Sequence, residues 1–544
     1  MTTEKAPPGA ADRPTTVASA PPGAGATAVP ALDDPRALSR GELQDRAIRG
    51  AMWTLVHVVV SLPLAFVVNI VIARVLGVVD YGRLAYLSTV LALVGSAVEF
   101  GVGTGVVQFG SKAHAAGRYD EVKRMLTAAQ GYRVLVGIPV LSLAVLLLVD
   151  VDPVLLAIAL VFGVVIPCAS GGPSDALAIE NKTAQSAQAT MIVNLVTQVM
   201  VVIVAATVGT ADSIWAVRLV AVGLGAIAYM CFVAPMYRRA LLRPRFRRFP
   251  PGFWKFAVPA GAAGMLEAFV SSRSEVLVLT WMSEPAAAGV FALAFGLGVH
   301  LFAPAQSLLG PLVPAISGLR EVDVEAVGRA LGRTLRASST ATAAVVAAAT
   351  PAFALLVPTI YGPEFASVPP VLVVLSIAGG LLVMAGPLKA FLMARLKGTW
   401  LLWMNLACLV VDVGLTVALV RPLGVWAAVL GNATAAVVLF AGLLTLEVRS
   451  LGLSAGRTLG TVLPFLLGAA VSVVTWWGID RIGAPPVPSA VLAGVLGLGL
   501  FVGAVRLART GLTPADAEAV TRSVPARLRR VAAPMLRVVS ASRA

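Results

Sequence analysis

Cysteine and histidine are scarce, with three of each in 544 residues. Cys168, Cys231 and Cys408 stand alone in apolar runs, and His57, His114 and His300 are dispersed. No pair has the spacing of a disulfide framework or a zinc site, so neither metal chemistry nor covalent stapling is expected. Charge is short as well: 13% of residues are Asp, Glu, Lys or Arg, against about a quarter in soluble domains. No Walker A loop is present. The "GVGTG" at 101–105 lies inside an apolar run, has no strand before it and lacks the third glycine of a dinucleotide fold. Energy for any work must then come from an ion gradient, the membrane potential or removal of product. Nothing points to a cofactor.

What remains is apolar and basic. The chain is 58% hydrophobic with net charge +15, and its mean hydropathy is +0.89. This is the balance of a polytopic membrane protein. The arginines are scattered among apolar spans, so the charge reads as a topology signal and not as a nucleic-acid surface. Residues 1–45, rich in Ala, Pro, Gly and Thr, read as a disordered cytoplasmic tail. A helix needs about 20 apolar residues to cross the hydrocarbon core. Cutting the runs at Pro, Gly and charged turns predicts fourteen spans: 50–77, 84–109, 125–149, 153–179, 187–209, 213–236, 256–282, 286–315, 331–358, 367–394, 400–420, 423–446, 459–480 and 488–507.

With both termini cytoplasmic, Lys and Arg concentrate at one side, notably in "RRALLRPRFRR" at 238–248. The opposite turns "DVDP", "GTADS", "SEPAAAG" and "YGPEF" carry none. Those outer loops are short, which tells against a membrane-embedded polysaccharide polymerase or ligase and favours a carrier working between its helices.

The first outer corner, "RVLGVVDYGRLAYLS" at 74–88, has an echo 207 positions on, "WMSEPAAAGVFALAF" at 281–295. Gly82 falls on Gly289 and Ala85 on Ala292. The expected architecture is all-α: two six-helix lobes, related as parallel repeats around a central cavity, plus two C-terminal helices. Its parts are an N-lobe at 46–236, a basic linker at 237–255, a C-lobe at 256–446, two further spans within 447–507 and a basic cytoplasmic tail at 508–544.

The corner "ARVLGVVDYGRLAYLSTV" resembles the first outer hairpin of the polysaccharide and oligosaccharide-lipid flippases of the MOP (multidrug/oligosaccharidyl-lipid/polysaccharide) exporter superfamily. "GVFALAFGLGVHLFAPAQSLLGPLVPAIS" at 289–317, "LLVPTIYGPEFASVPPVLVVLSIAGG" at 355–380 and "RPLGVWAAVLGNATAAV" at 421–437 are similar to later elements of that family, in the right order. Trp426 departs from the small residue usual there. The resemblance implies alternating access and a lipid-linked oligosaccharide cargo, a polyprenyl-diphosphate glycan. It also implies membrane lipids and polysaccharide polymerases or glycosyltransferases as candidate partners. A lipid II flippase and a cation-coupled multidrug antiporter of the same superfamily are the alternatives. The Asp-Ala-Phe-like run of lipid II flippases is missing, which favours the polysaccharide branch.

Charges inside spans cost about 2.5–3.5 kcal/mol each at the helix centre and usually face a cavity or a partner. Span 256–282 is the polar outlier, with Glu267, Ser271, Ser274 and Glu275 at helical spacing on one face and Arg273 beside them. These residues, with Arg74 and Asn69, are the candidates for lining a substrate cavity. A guanidinium suits diphosphate oxygens because its fork binds two at once. The competing reading is an internal Arg–Glu pair that locks helices together. Asp412 and Glu99 are lone carboxylates that either carry a coupling ion or pair with a nearby cation. Arg83 is expected to snorkel or to brace the turn through Asp80.

Overall fold

The computed structural model describes residues 40–246, 248–271, 274–307, 324–394, 398–514 and 516–518. Residues 1–44 form one unit and 45–544 a second; of the first, only residues 40–44 are described, as the start of a helix. The predicted tail therefore lies largely outside the described residues.

The fold is all-α. Twelve helices among the described residues are long and apolar enough to cross a membrane, and the chain is a multi-pass membrane protein. The first candidate, Val59–Glu99, is 41 residues long and bends sharply at Gly77, where φ is 69° and ψ 179°. The predicted six-residue turn is thus a single residue: helical backbone resumes at once and runs through Arg83. Glycine is required at 77 for two reasons. An L side chain is strained at that φ, and a Cβ there would strike the Glu364 carboxylate. The second leg breaks again at Phe100 and Gly101, both at positive φ, before continuing as Val102–Ala115.

Many later helices start or end near the predicted cuts, but Tyr119–Tyr132 and Val324–Tyr361 begin six and seven residues earlier than predicted, and the end of predicted span 286–315 lies outside the described residues. Predicted span 256–282 appears as two helices, Phe253–Ser271 and Ser274–Met282, on either side of residues outside the described set. Two predicted spans contain wide π-turns, Arg133–Gly137 and Ala159–Val165. Such turns interrupt the regular helical ladder and often accompany functional sites.

Two ends of the bundle can be named from their residues. The corner end carries Gly77, and the basic end carries Lys123, Arg239 and their neighbours. At the corner end, early and late parts of the chain meet tightly. A Cβ on Gly82 would lie 2.7 Å from the Gly289 nitrogen, and one on Gly289 would strike the Val78 carbonyl. Only two glycines allow the helices to approach so closely. These are also the two positions that the 207-residue offset superposes.

Trp281 Nε1 donates to the Tyr86 hydroxyl at 3.1 Å, and Tyr81 stacks edge-on to Phe365. At the basic end, Phe109 meets Phe253 and Phe256, with ring centroids 5.7 and 6.2 Å apart. The last two helices, Ala455–Asp480 and Pro486–Leu507, pack on Val324–Tyr361. Gly497 there sits directly on the Ala347 carbonyl.

Candidate functional site

The space between the early and late halves narrows to a cavity of about 280 Å3. Leu62, Pro63 and Phe66 line one side, and His300, Phe353 and Ser376 line the other. Arg74 closes the corner end beyond it. Its Nε and Nη2 donate to the carbonyls of Ile360 and Thr359, each at 2.7 Å. The helix Val324–Tyr361 ends there, so its last carbonyls have no helical partners. A guanidinium at a helix C-terminus satisfies them and opposes the negative end of the dipole. The neighbouring Val78 N–H donates to Glu364 Oε2 at 3.3 Å. Asn69 faces inward on the same leg and accepts from the Tyr81 hydroxyl at 2.9 Å. Arg74 and Asn69 are thus part of the closure where early and late segments meet.

Arg83 differs from the expected arrangement. Its partner is Asp212, at 2.9 Å from Nε, and its Nη2 also reaches the Asp150 carbonyl at 3.3 Å. Asp80 is one helical turn away in sequence and makes no ion pair with it. Arg83 therefore ties three corners of the early half together.

Two buried ionic groups flank the centre. In the early half, Arg133 Nη2 binds Glu99 Oε1 at 2.6 Å and Asp175 Oδ2 at 2.7 Å. The Arg133 side chain is 9% exposed. Gln130 beside it donates to the Cys168 carbonyl at 2.6 Å. Glu99, a predicted candidate, is therefore paired with a cation. Arg133 and Asp175 are functional-looking residues that the sequence reading passes over, although each is a charge within a predicted apolar span.

In the late half, Glu275 and Asp412 are both completely buried and lie beside each other. Glu275 Oε1 accepts from Asn432 Nδ2 at 2.7 Å. The Asp412 carboxyl faces the Glu275 carboxyl directly, and the Thr416 and Ser274 hydroxyls have no hydrogen-bond partner among the described residues. Gly431 makes the approach possible: a Cβ there would lie 2.5 Å from Thr416 Oγ1 and 2.9 Å from Asp412 Oδ1. Lys389, from the helix Val368–Ala394, and Asp412 both act on Cys408, so a cation stands nearby. Three helices, Ser274–Met282, Gly398–Leu423 and Val425–Ser450, thus bring together two carboxylates, an amide and a hydroxyl. Asn432 was not singled out from the sequence; an asparagine inside an apolar helix was the available signal.

Of the remaining candidates, Arg273 lies outside the described residues. Glu267 and Ser271 belong to the helix Phe253–Ser271, but their side chains are outside the described set. The predicted common face of Glu267, Ser271, Ser274 and Glu275 is described only at Ser274 and Glu275, which are buried. Among the described residues, no group of three or more His, Cys, Asp or Glu side chains is arranged to hold a metal ion.

This geometry, an all-helical membrane bundle with buried charges and a narrow central cavity, defines a transporter-like fold. Solved structures share it. A lipid II flippase, MurJ, in an inward closed conformation superposes with a TM-score of 0.57 at 12% identity, covering 84% of this chain and 99% of that one. An inward-facing MATE-family multidrug resistance transporter of the MOP superfamily gives 0.54 at 14%, covering 74% and 99%. A MATE structure in complex with MaD3S gives 0.51 at 16%, covering 75% and 97%. No curated protein sequence matches. A family described as "Polysaccharide biosynthesis protein" matches residues 47–319, just over half of the chain. The chain belongs to that family, and it shares its fold with those transporters.

Proposed function

We propose that the protein carries a lipid-linked oligosaccharide, a polyprenyl-diphosphate glycan, across the cytoplasmic membrane for cell-surface polysaccharide assembly, by alternating access. The family match is the observation that carries this reading. The charge pattern supports a cytoplasmic basic end, with both termini on that side and the corner end outside. Counting the two legs on either side of Gly77 separately, and 253–282 as one further span, brings the twelve long helices to fourteen. Twelve of these form the two lobes, and the last two are additions.

A central cavity of about 280 Å3 is at the lower edge of small-ligand sites, roughly 300–1,000 Å3. A glycan enters only after the lobes part at one end. The corner contacts of Arg74, Gly82 and Gly289 are those that must break for outward opening, and the Phe109–Phe253–Phe256 cluster must break for inward opening. Arg74 then exchanges carbonyl partners for diphosphate oxygens, and Arg273 is the second phosphate ligand.

Glu275, Asp412 and Asn432 form the coupling site. Two carboxylates buried side by side repel each other and favour uptake of a proton or a cation, which links an ion gradient to lobe movement. The same cluster suits a cation-coupled antiporter, so cargo must be tested directly.

Reconstituted vesicles containing a fluorescent polyprenyl-diphosphate sugar provide that test. Leaflet exchange well above protein-free vesicles is expected, with Arg273→Ala slower than wild type. Exchange equal to that of empty vesicles overturns the reading.

A further inference from the structure

The geometry points to a binding site for a phosphate-bearing headgroup on the early half, at the basic end and away from the central cavity. The site is a concave pocket of about 570 Å3. Lys123, Arg124 and Thr127 line it from the helix Tyr119–Tyr132, and Arg239, Arg243 and Arg245 line it from the segment that connects the halves.

The pocket is built by specific contacts. Thr127 Oγ1 donates to the Lys123 carbonyl at 2.7 Å and to the Ala240 carbonyl at 3.3 Å. The Arg245 N–H donates to the Thr127 carbonyl at 3.3 Å. Gly131 leaves room for this strand of chain: a Cβ there would lie 2.5 Å from the Arg245 carbonyl carbon. One face is thus a helix and the other a segment held to it through backbone groups.

The charges set this pocket apart from the rest of its end of the molecule. Several other cations at the basic end are neutralised. Arg118 pairs with Glu121 at 2.9 Å, Lys182 with Glu180 at 2.7 Å and Arg336 with Asp516 at 3.0 Å. Here, Arg124, Arg239, Arg243 and Arg245 make no ion pair among the described residues, and only Lys123 has a carboxylate, Asp120 at 2.9 Å. Five cations around one concavity repel each other, and Asp120 offsets only part of that cost. An anion offsets the rest.

Phosphate is the anion the donors suit. Planar guanidinium forks bind two phosphate oxygens at once, and the lysine adds a point charge. A topology signal alone needs only net positive charge near the membrane. It requires neither a pocket nor arginines from two segments pinned face to face. A bound phosphate bridges the helix and the connector, fastening the segment that joins the two halves to the first of them.

Two sources supply this chemistry: the headgroup of an anionic phospholipid and a free or lipid-linked diphosphate. The test uses the full-length protein in nanodiscs. One arm compares phosphatidylcholine with a phosphatidylcholine–phosphatidylglycerol mixture and reads retained lipid by native mass spectrometry. The other titrates inorganic pyrophosphate at constant ionic strength and reads melting temperature. Binding of either probe is expected. It should weaken by about tenfold for each arginine removed in Arg239→Gln and Arg243→Gln, and remain unchanged in Arg118→Gln. Phosphatidylglycerol without pyrophosphate identifies a bilayer headgroup, and pyrophosphate without phosphatidylglycerol identifies a diphosphate.

A second measurement needs no variant: pyrophosphate should slow phenylglyoxal modification of Arg239, Arg243 and Arg245 in the wild type. The proposal is overturned if neither probe binds, or if binding survives in the double variant and the arginines stay unprotected. Both readouts are independent of transport, so this result is separable from failure of the flippase reading.

Discussion

The two buried ionic groups differ in how they are completed. In the early half, one guanidinium holds two carboxylates at 2.6 and 2.7 Å. In the late half, Glu275 has Asn432 at 2.7 Å, and Asp412 beside it faces Glu275, a second carboxylate. Burial of charge is tolerated only with compensation. The first group sets one guanidinium between two carboxylates and acts as a fastening of the helices. The second sets two carboxylates against each other, so uptake of a small cation or proton lowers their repulsion. Charges within the spans of one protein therefore have different uses, and their partners tell them apart.

Removing the built-in cation gives the largest expected effect. Arg133→Met leaves the buried Asp175 without its counter-charge, at a cost of about 3 kcal/mol, while Glu99, whose side chain is 41% exposed, is partly relieved by solvent. The melting temperature in detergent should fall sharply. If Arg133→Met melts like the wild type, the fastening role fails.

Next comes the contact where the halves meet. Gly289→Val puts a side chain against the Val78 carbonyl, costing about 1–3 kcal/mol for overpacking and favouring separation at the corner end. Spin labels at Asp80 and Ser283 should report longer distances. A late-half cluster that still responds to ions in this variant would show that its ion sensitivity does not need the corner contact.

Asp412→Asn should leave stability unchanged or raise it, because one of two adjacent buried carboxylates becomes neutral. Dependence of transport on a proton or sodium gradient should flatten. Unaltered gradient dependence would put coupling elsewhere and erase the contrast between the halves.

The smallest effect concerns His114, at the basic end. Its Nδ1 lies 2.7 Å from the Tyr237 hydroxyl. Burial pushes the imidazole below its ordinary value, against the pull of Glu180 and together with the push of Lys182. Burial likewise pushes the Tyr237 phenol up. The unfolded chain then takes up a proton at His114 first as pH falls. Stability from this site is full above about pH 6.5 and is lost as pH falls through the lowered folded value. A modest drop in melting temperature between about pH 7.5 and 5.5 is expected, flattened by His114→Phe.

Much of the fold was legible because a hydrocarbon layer imposes long apolar runs, and most of those runs are long helices in the structure. The first corner was not. "GVVDYG" reads as a loop by composition, yet one glycine at φ 69° makes the whole turn, because a helical hairpin can form when a single residue reverses the chain. Partners were less legible than positions. Arg83 could be placed near Asp80 from sequence, but Asp212, 129 positions away, is brought to it by packing. The same limit hid the link between Glu275, Asp412 and Asn432, which lie on three separate helices. Each was visible as a polar residue in an apolar span, and none carries any sign of which other span it faces.

The Arg74 contact has a consequence for how the molecule is made. Its carbonyl acceptors lie 285 and 286 positions later in the chain. At roughly 5–20 residues per second, the ribosome needs roughly 15–60 s to deliver them. Until then the guanidinium stands in the nascent chain without those partners, available to water and lipid headgroups. Long-range contacts of this kind form late. The corner is therefore among the last seams to close during biogenesis, and a chain stalled before residue 359 would be inserted but unlatched.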